Sequence, residues 1–116
     1  MTYADVLAEA WQQHQAPRAA DAPTVISTFA GGGGSSLGYS MAGYRELLVV
    51  EWEDHAAECL RRNFHTQVFH GDISHVTADT TDLAPGELDV LDGSPPCQGF
   101  SRANTKSVGN DPRNHL

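Results

Sequence analysis

Residues 24–34 read Thr-Val-Ile-Ser-Thr-Phe-Ala-Gly-Gly-Gly-Gly, a β-branched run that stops in four consecutive glycines. Thr, Val and Ile in a short run have the composition of a strand packed on both faces. The abrupt change to Gly31–Gly34 marks a tight turn where the backbone can approach a ligand closely. Ser35–Ala42 beyond it has the length of a short helix, and Gly43 is placed to stop it. The pattern then repeats. Glu46–Glu51 (ELLVVE) predicts a second strand, and 54–64 a helix with Ala57, Leu60 and Phe64 inward and Arg61 and Arg62 outward. Gln67–His70 predicts a third strand and Leu88–Leu91 (LDVL) a fourth, with a loose helix within 74–87. Strands alternating with helices make βαβ units and a parallel sheet. The expected class is α/β: the amino-terminal half of a doubly wound, mostly parallel sheet whose last strand presents an open edge.

Ahead of this region, residues 3–15 place Val6, Leu7, Ala10, Trp11 and His14 at helical spacing, and 16–23 form an Ala/Pro/Asp-rich linker. The expected organisation is a helix and linker over 1–23 and half of a larger domain over 24–116. The 116 residues fit one small domain, and 40% apolar with 19% charged residues is an ordinary globular composition. No apolar run reaches the length of a membrane span, and the amino terminus lacks a secretion pattern, so the expected compartment is the cytoplasm. The 2 cysteines, Cys59 and Cys97, are then expected as free thiols, and without zinc-type spacing no metal is expected. The net charge of -8 is unevenly spread. From Glu46 to Asp92 the acids face only Arg61 and Arg62, whereas 98–116 holds Arg102, Lys106 and Arg113 against Asp111. Any nucleic-acid contact from this chain is expected in that tail, with most of such a surface elsewhere.

Two constellations carry chemistry. A glycine turn between strand and helix favours an anionic ligand group, and an acid ending the next strand can accept from ribose hydroxyls. Glu51 holds that position, about 20 residues after Gly31. Gly31–Gly34 fits neither a G-x-G-x-x-G fingerprint, because Ser36 stands where the third glycine belongs, nor a phosphate loop, because no lysine precedes Lys106. A ligand with one nucleoside and one amino-acid carboxylate fits better. Trp52 can stack on a base, and Asp72 in Gly71-Asp72-Ile73 can accept from an exocyclic amine. A plain glycine turn, a surface Glu, a packing Trp and a turn Asp are the bland alternatives. The second constellation is Asp92-Gly93-Ser94-Pro95-Pro96-Cys97-Gln98-Gly99-Phe100-Ser101. Two prolines stiffen the chain before Cys97, an unusual setting for a structural thiol, whereas Cys59 lies on a helix where packing explains it.

Phe29-Ala30-Gly31-Gly32-Gly33-Gly34 with Leu37-Gly38 and Ala42-Gly43-Tyr44 resembles the first motif of the DNA (cytosine-5) methyltransferases. Glu51-Trp52, Gly71-Asp72-Ile73 and Gly93–Ser101 resemble the next three in order, and Asp111–Leu116 the segment after the catalytic loop. The resemblance implies a Rossmann-like S-adenosylmethionine-dependent methyltransferase fold and methyl transfer to carbon 5 of cytosine in double-stranded DNA. It implies that Cys97 attacks a flipped base and that S-adenosylmethionine is the donor. Phe29 and Trp52 would flank the adenine, Glu51 hold the ribose, and Asp72 and Ile73 read the adenine edge. Ala30, Gly31, Gly33 and Gly34 would hold the methionine part, Pro96 would lie near the sulfonium, and Gln98 and Ser101 would belong to a loop closing on DNA. The sequence departs from the family in two ways. Ser27 stands where the family usually has an acid, and the later motifs and target-recognition region are absent. A truncated piece, a gene fragment or one subunit of a split enzyme is therefore expected, inactive unless a second polypeptide supplies the rest. A non-catalytic S-adenosylmethionine-binding remnant of the same ancestry is the alternative. A thiol hydrolase using His70 or His75 with Cys97 is the third reading.

Overall fold

The computed structural model describes residues 1–95. Four strands, β1 (Thr24–Thr28), β2 (Arg45–Glu51), β3 (Val68–His70) and β4 (Val90–Gly93), form one sheet in the order β3-β2-β1-β4. Every pairing is parallel, as the alternation of elements predicts. Three α-helices accompany them: α1 (Tyr3–Gln15), α2 (Gly34–Met41) and α3 (Asp54–Asn63). β1 is the most protected strand, with Val25 fully buried and Ile26 nearly so, because it lies between β2 and β4.

The strand limits shift by a few residues from those expected. β1 stops at Thr28 because Phe29 turns to φ 52, outside extended backbone. β4 begins at Val90 rather than Leu88, because Asp89 is used as a clamp. Its Oδ2 accepts from the Thr24 N–H (2.8 Å), and its own N–H donates to Thr24 Oγ1 (3.1 Å). The helix expected within 74–87 is replaced by two single 3₁₀ turns, Ile73–His75 and Ala78–Thr80. Val76, Leu83 and Leu88 still cover the face formed by Ile26, Leu48 and Val50, but through an irregular path that includes Pro85. Within α3 the inward stripe is Ala57 and Leu60, both fully buried, and Phe64, partly buried at the C-cap, continues it toward Gly33.

The first helix has a capping box: Thr2 Oγ1 accepts from the Asp5 N–H and Asp5 accepts from the Thr2 N–H. No residue of α1 is buried, and Val6, Leu7 and Trp11 remain about half exposed. The helix is tied down at its carboxyl end instead. His14 Nδ1 meets Ser40 Oγ at 2.6 Å, and the Arg18 guanidinium donates to the carbonyls of Gln13, Ala16, His14 and Tyr44 and to the Ser40 hydroxyl.

Beneath α2, the Glu46 carboxylate accepts from Ser27 Oγ (2.7 Å) and Ser36 Oγ (2.9 Å). Burial pushes this carboxyl above its ordinary value near 4.5, against the two hydroxyls that favour its charge, and nearby Asp92 adds to the rise. The folded state therefore holds this proton more tightly than the unfolded chain does. The stability contribution of Glu46 is greatest below about pH 4.5 and declines as pH rises through the folded value. Urea unfolding over a pH series is expected to show wild type losing stability relative to Glu46→Gln as pH rises through that window. Parallel profiles for the two proteins would contradict this assignment.

Candidate functional site

The carboxyl ends of β1, β2 and β3 open into a groove lined by Phe29, Val50, Glu51, Trp52, Gly71, Asp72 and Ile73. Five of these were expected at a ligand site from sequence; Val50 and Gly71 are additions that form its floor and turn. The convergence follows from topology, since parallel strands all end on one edge and place their following residues together. Trp52 is 59% exposed, so a flat apolar ring stands in solvent at the groove's rim. Opposite it, Phe29 has φ 52, a left-handed conformation uncommon for a side chain of this size and stored most often at functional sites. That turn follows directly on β1 and lets Ala30 donate to the Val50 carbonyl at 3.1 Å.

Glu51 is buried to 9% exposure at the end of β2. Its Oε1 accepts from the Gly31 N–H (2.8 Å) and its Oε2 from the Glu53 N–H (3.0 Å). One carboxylate thus fixes both the start of the glycine turn and the entry to α3. Each oxygen keeps capacity for a second donor, as an ionised carboxylate has about four acceptor sites. Asp72 caps the turn at Ile73: its Oδ1 accepts from the Ser74 N–H at 2.8 Å, and that bond holds the carboxyl below its ordinary value. The charge is therefore favoured, and Asp72 lies on the lining of the groove.

The glycine turn leads from this groove into α2. Its N-cap is Gly33, at φ 100, with no side chain to satisfy the first N–H groups. The first-turn N–H groups, without a capping side chain among the described residues, and the positive end of the helix favour an anionic group here. Packing explains why Gly33 is glycine: a Cβ there would lie 2.5 Å from Phe64 Cε2. The Cys59 thiol reaches the Gly32 carbonyl at 3.5 Å, so this cysteine packs beside the turn from α3. On the other side of β1, β4 runs parallel with Gly93 opposite Thr28, and a Cβ on Gly93 would lie 2.8 Å from Thr28 Oγ1. Ser94 and Pro95 therefore leave the sheet on the groove's edge. Pro96, Cys97, Gln98 and Ser101 lie outside the described residues.

Among the described residues no cluster of histidine, cysteine and acids has a metal-binding arrangement, and no helix is long and apolar enough to cross a membrane. His70 is paired with Asp54 across β3 and α3 at 2.9 Å. A larger cavity, about 660 Å³, opens near the carboxyl ends of α1 and α3 between His14, Arg18, Ser40, Tyr44 and Phe64. Its Arg18 is already committed to carbonyls, and although Ser36, Tyr44 and Glu46 also line it, Glu51, Trp52 and Asp72 do not, so the smaller groove is the chemical candidate.

Comparison with known proteins supplies independent findings. Residues 23–116 match the family described as C-5 cytosine-specific DNA methylase. The chain is 42% identical over 98 residues to the type II methyltransferase M1.HphI of Haemophilus parahaemolyticus, covering 80% of this chain and 26% of that protein. It is 36% identical over 97 residues to M.AquIA of a Picosynechococcus strain, covering 79% and 39%. A solved structure described as a DNA modification methyltransferase encoded within an Escherichia coli prophage superposes with a TM-score of 0.64 at 33% identity, covering 81% of this chain and 26% of that one. The chain thus spans between about a quarter and two-fifths of the length of these relatives.

The turn geometry makes a direct prediction about stability. Gly33→Ala is expected to cost roughly 2–4 kcal/mol, from left-handed backbone strain and overpacking against Phe64. Gly32→Ala, which meets open space, is expected to cost about 1 kcal/mol or less. Chemical denaturation of both variants checks this, and equal costs would contradict the packing account.

Proposed function

This chain belongs to the C-5 cytosine-specific DNA methylase family, and from that premise we propose that it carries the donor-binding and nucleophile-bearing part of a DNA (cytosine-5) methyltransferase. The observation that carries the proposal is the convergence of Phe29, Glu51, Trp52, Asp72 and Ile73 on one groove, with the uncapped start of α2 at one end and the exit of β4 beside it. The residues present suit S-adenosylmethionine: two aromatic rings for adenine, a buried acid for ribose hydroxyls, an acceptor for the exocyclic amine, and a helix start for the carboxylate. When bound, this donor supplies an electrophilic methyl group on a sulfonium.

The chain's own contributions then follow. Glu51 orients the nucleoside while holding the glycine turn by its other hydrogen bonds. Ala30, Gly31, Gly33 and Gly34 keep the backbone open to the amino-acid end. Pro96 stiffens the approach of Cys97, whose thiolate adds to carbon 6 of a cytosine flipped out of duplex DNA. Carbon 5 gains nucleophilic character and bonds to the methyl carbon as the methyl–sulfur bond breaks, leaving the donor as a neutral thioether. A proton acceptor or solvent then takes the carbon 5 proton, and expulsion of the thiolate restores free Cys97 and the aromatic ring. Gln98 and Ser101 contact the base or its strand from the following loop. The relatives' remaining length is the natural source of the base-assisting groups and the DNA-reading surface, whether joined to these residues or carried by a second polypeptide.

Covalent trapping tests this reading. In duplex DNA containing 5-fluorocytosine, fluorine takes the place of the carbon 5 proton and cannot be eliminated as a cation, so the complete enzyme carrying these residues is expected to form a stable adduct. The adduct should require S-adenosylmethionine and disappear in Cys97→Ala. Absence of an adduct with wild type, or its persistence in Cys97→Ala, would overturn the assignment.

A further inference from the structure

β2 carries a bulge. Val25 pairs with Glu46 and Ile26 with Leu48, leaving Leu47 as the extra residue. In a regular strand residues 46 and 48 would share a face; the bulge sends them to opposite faces. Leu48 enters the core with Ile26 and Val50. Glu46 is turned beneath α2, where its Oε2 takes the two serine hydroxyls and its Oε1 is buried without a partner among the described residues. Burying a carboxyl this way is costly, and an apolar side chain would fill the space with less penalty.

What the carboxyl achieves is placement. A side chain at Gly31, Gly32 or Gly34 would meet open space, so apart from the Gly33 packing, the Cys59 contact and the Ala30–Val50 hydrogen bond the turn has few contacts of its own. It is held at its ends. Glu51, at the end of β2, holds Gly31. Glu46, at the start of β2, holds Ser36 in the first turn of α2 and links it to Ser27 of β1. We propose that Glu46 is a positioning residue that sets the first turn of α2, and with it the free N–H groups that receive the donor's carboxylate. This rests on the reading of the groove as a donor site, and it assigns Glu46 to the amino-acid end of the ligand and not to the nucleoside end.

The two ends can be separated by ligand choice. Binding of S-adenosylmethionine and of adenosine to the full chain is measured by calorimetry. Adenosine uses the Phe29, Glu51, Trp52 and Asp72 groove alone; S-adenosylmethionine adds the α2 contact. Glu46→Ala is expected to weaken S-adenosylmethionine about 5- to 30-fold while changing adenosine affinity by less than about twofold. Glu46→Gln, which keeps an oxygen able to accept from both serine hydroxyls, is expected to restore S-adenosylmethionine affinity to within about threefold of wild type. If Glu46→Ala does not fold, Ser36→Ala, which removes one of the two hydrogen bonds, makes the same comparison with a smaller loss. Equal weakening of both ligands, or no weakening of either, would overturn the proposal. Wild type binding neither ligand would instead defeat the donor reading beneath it.

Discussion

The structure depends on one buried carboxylate. Glu51 lies at the carboxyl end of β2 and accepts from the Gly31 N–H and the Glu53 N–H, so a single side chain joins the glycine turn, the sheet and the start of α3. Hydrogen bonds to a charged acceptor are each worth on the order of 1.5–3 kcal/mol in such settings. Without them the turn from Phe29 to Gly34 would be held against β2 mainly by the Ala30–Val50 backbone hydrogen bond. The same oxygens face the groove. On the proposed reading, structural and ligand-binding demands fall on the same side chain, and the backbone strain at Phe29 lies at the same groove.

The acidity of the chain is explained in the same terms. Many of its acids accept hydrogen bonds at fixed points: Asp5, Glu53 and Asp72 at helix starts, Asp89 at the β1–β4 entry, Glu46 and Glu51 at either end of β2. Carboxylates so placed satisfy N–H and hydroxyl groups that would otherwise be unpaired. Part of the net charge of -8 thus serves local hydrogen bonding, which is compatible with membership of a family that acts on DNA. The basic residues Arg102, Lys106 and Arg113 fall in the stretch after Cys97, outside the described residues.

Much of this was readable from the residues. The parallel α/β plan followed from alternating apolar runs, and Glu51, Trp52 and Asp72 were identifiable because each ends a strand, where parallel topology brings side chains together. Other features were hidden for physical reasons. Phe29 in a left-handed conformation is set by the path of the turn, which its identity does not announce. The stretch 74–87 buries Val76 and Leu83 without helical period, so a loose helix was expected where only 3₁₀ turns form. ELLVVE reads as an uninterrupted strand, and nothing in it reveals that Leu47 is bulged out and Glu46 turned toward α2. Cys97 is conspicuous as a motif between two prolines and a glutamine, yet its neighbours in space are not among the described residues.

The central claim is that the groove between Phe29 and Trp52 holds a nucleoside anchored by Glu51. The most direct measurement is a backbone and indole NMR titration of the chain with S-adenosylhomocysteine. The account predicts saturable shifts confined to Phe29–Ser36, Glu51–Glu53 and Gly71–Ser74, including the Trp52 indole N–H, with the Trp11 indole unmoved. Shifts centred on the cavity near His14, Arg18 and Phe64, or no saturable shift at all, would contradict it.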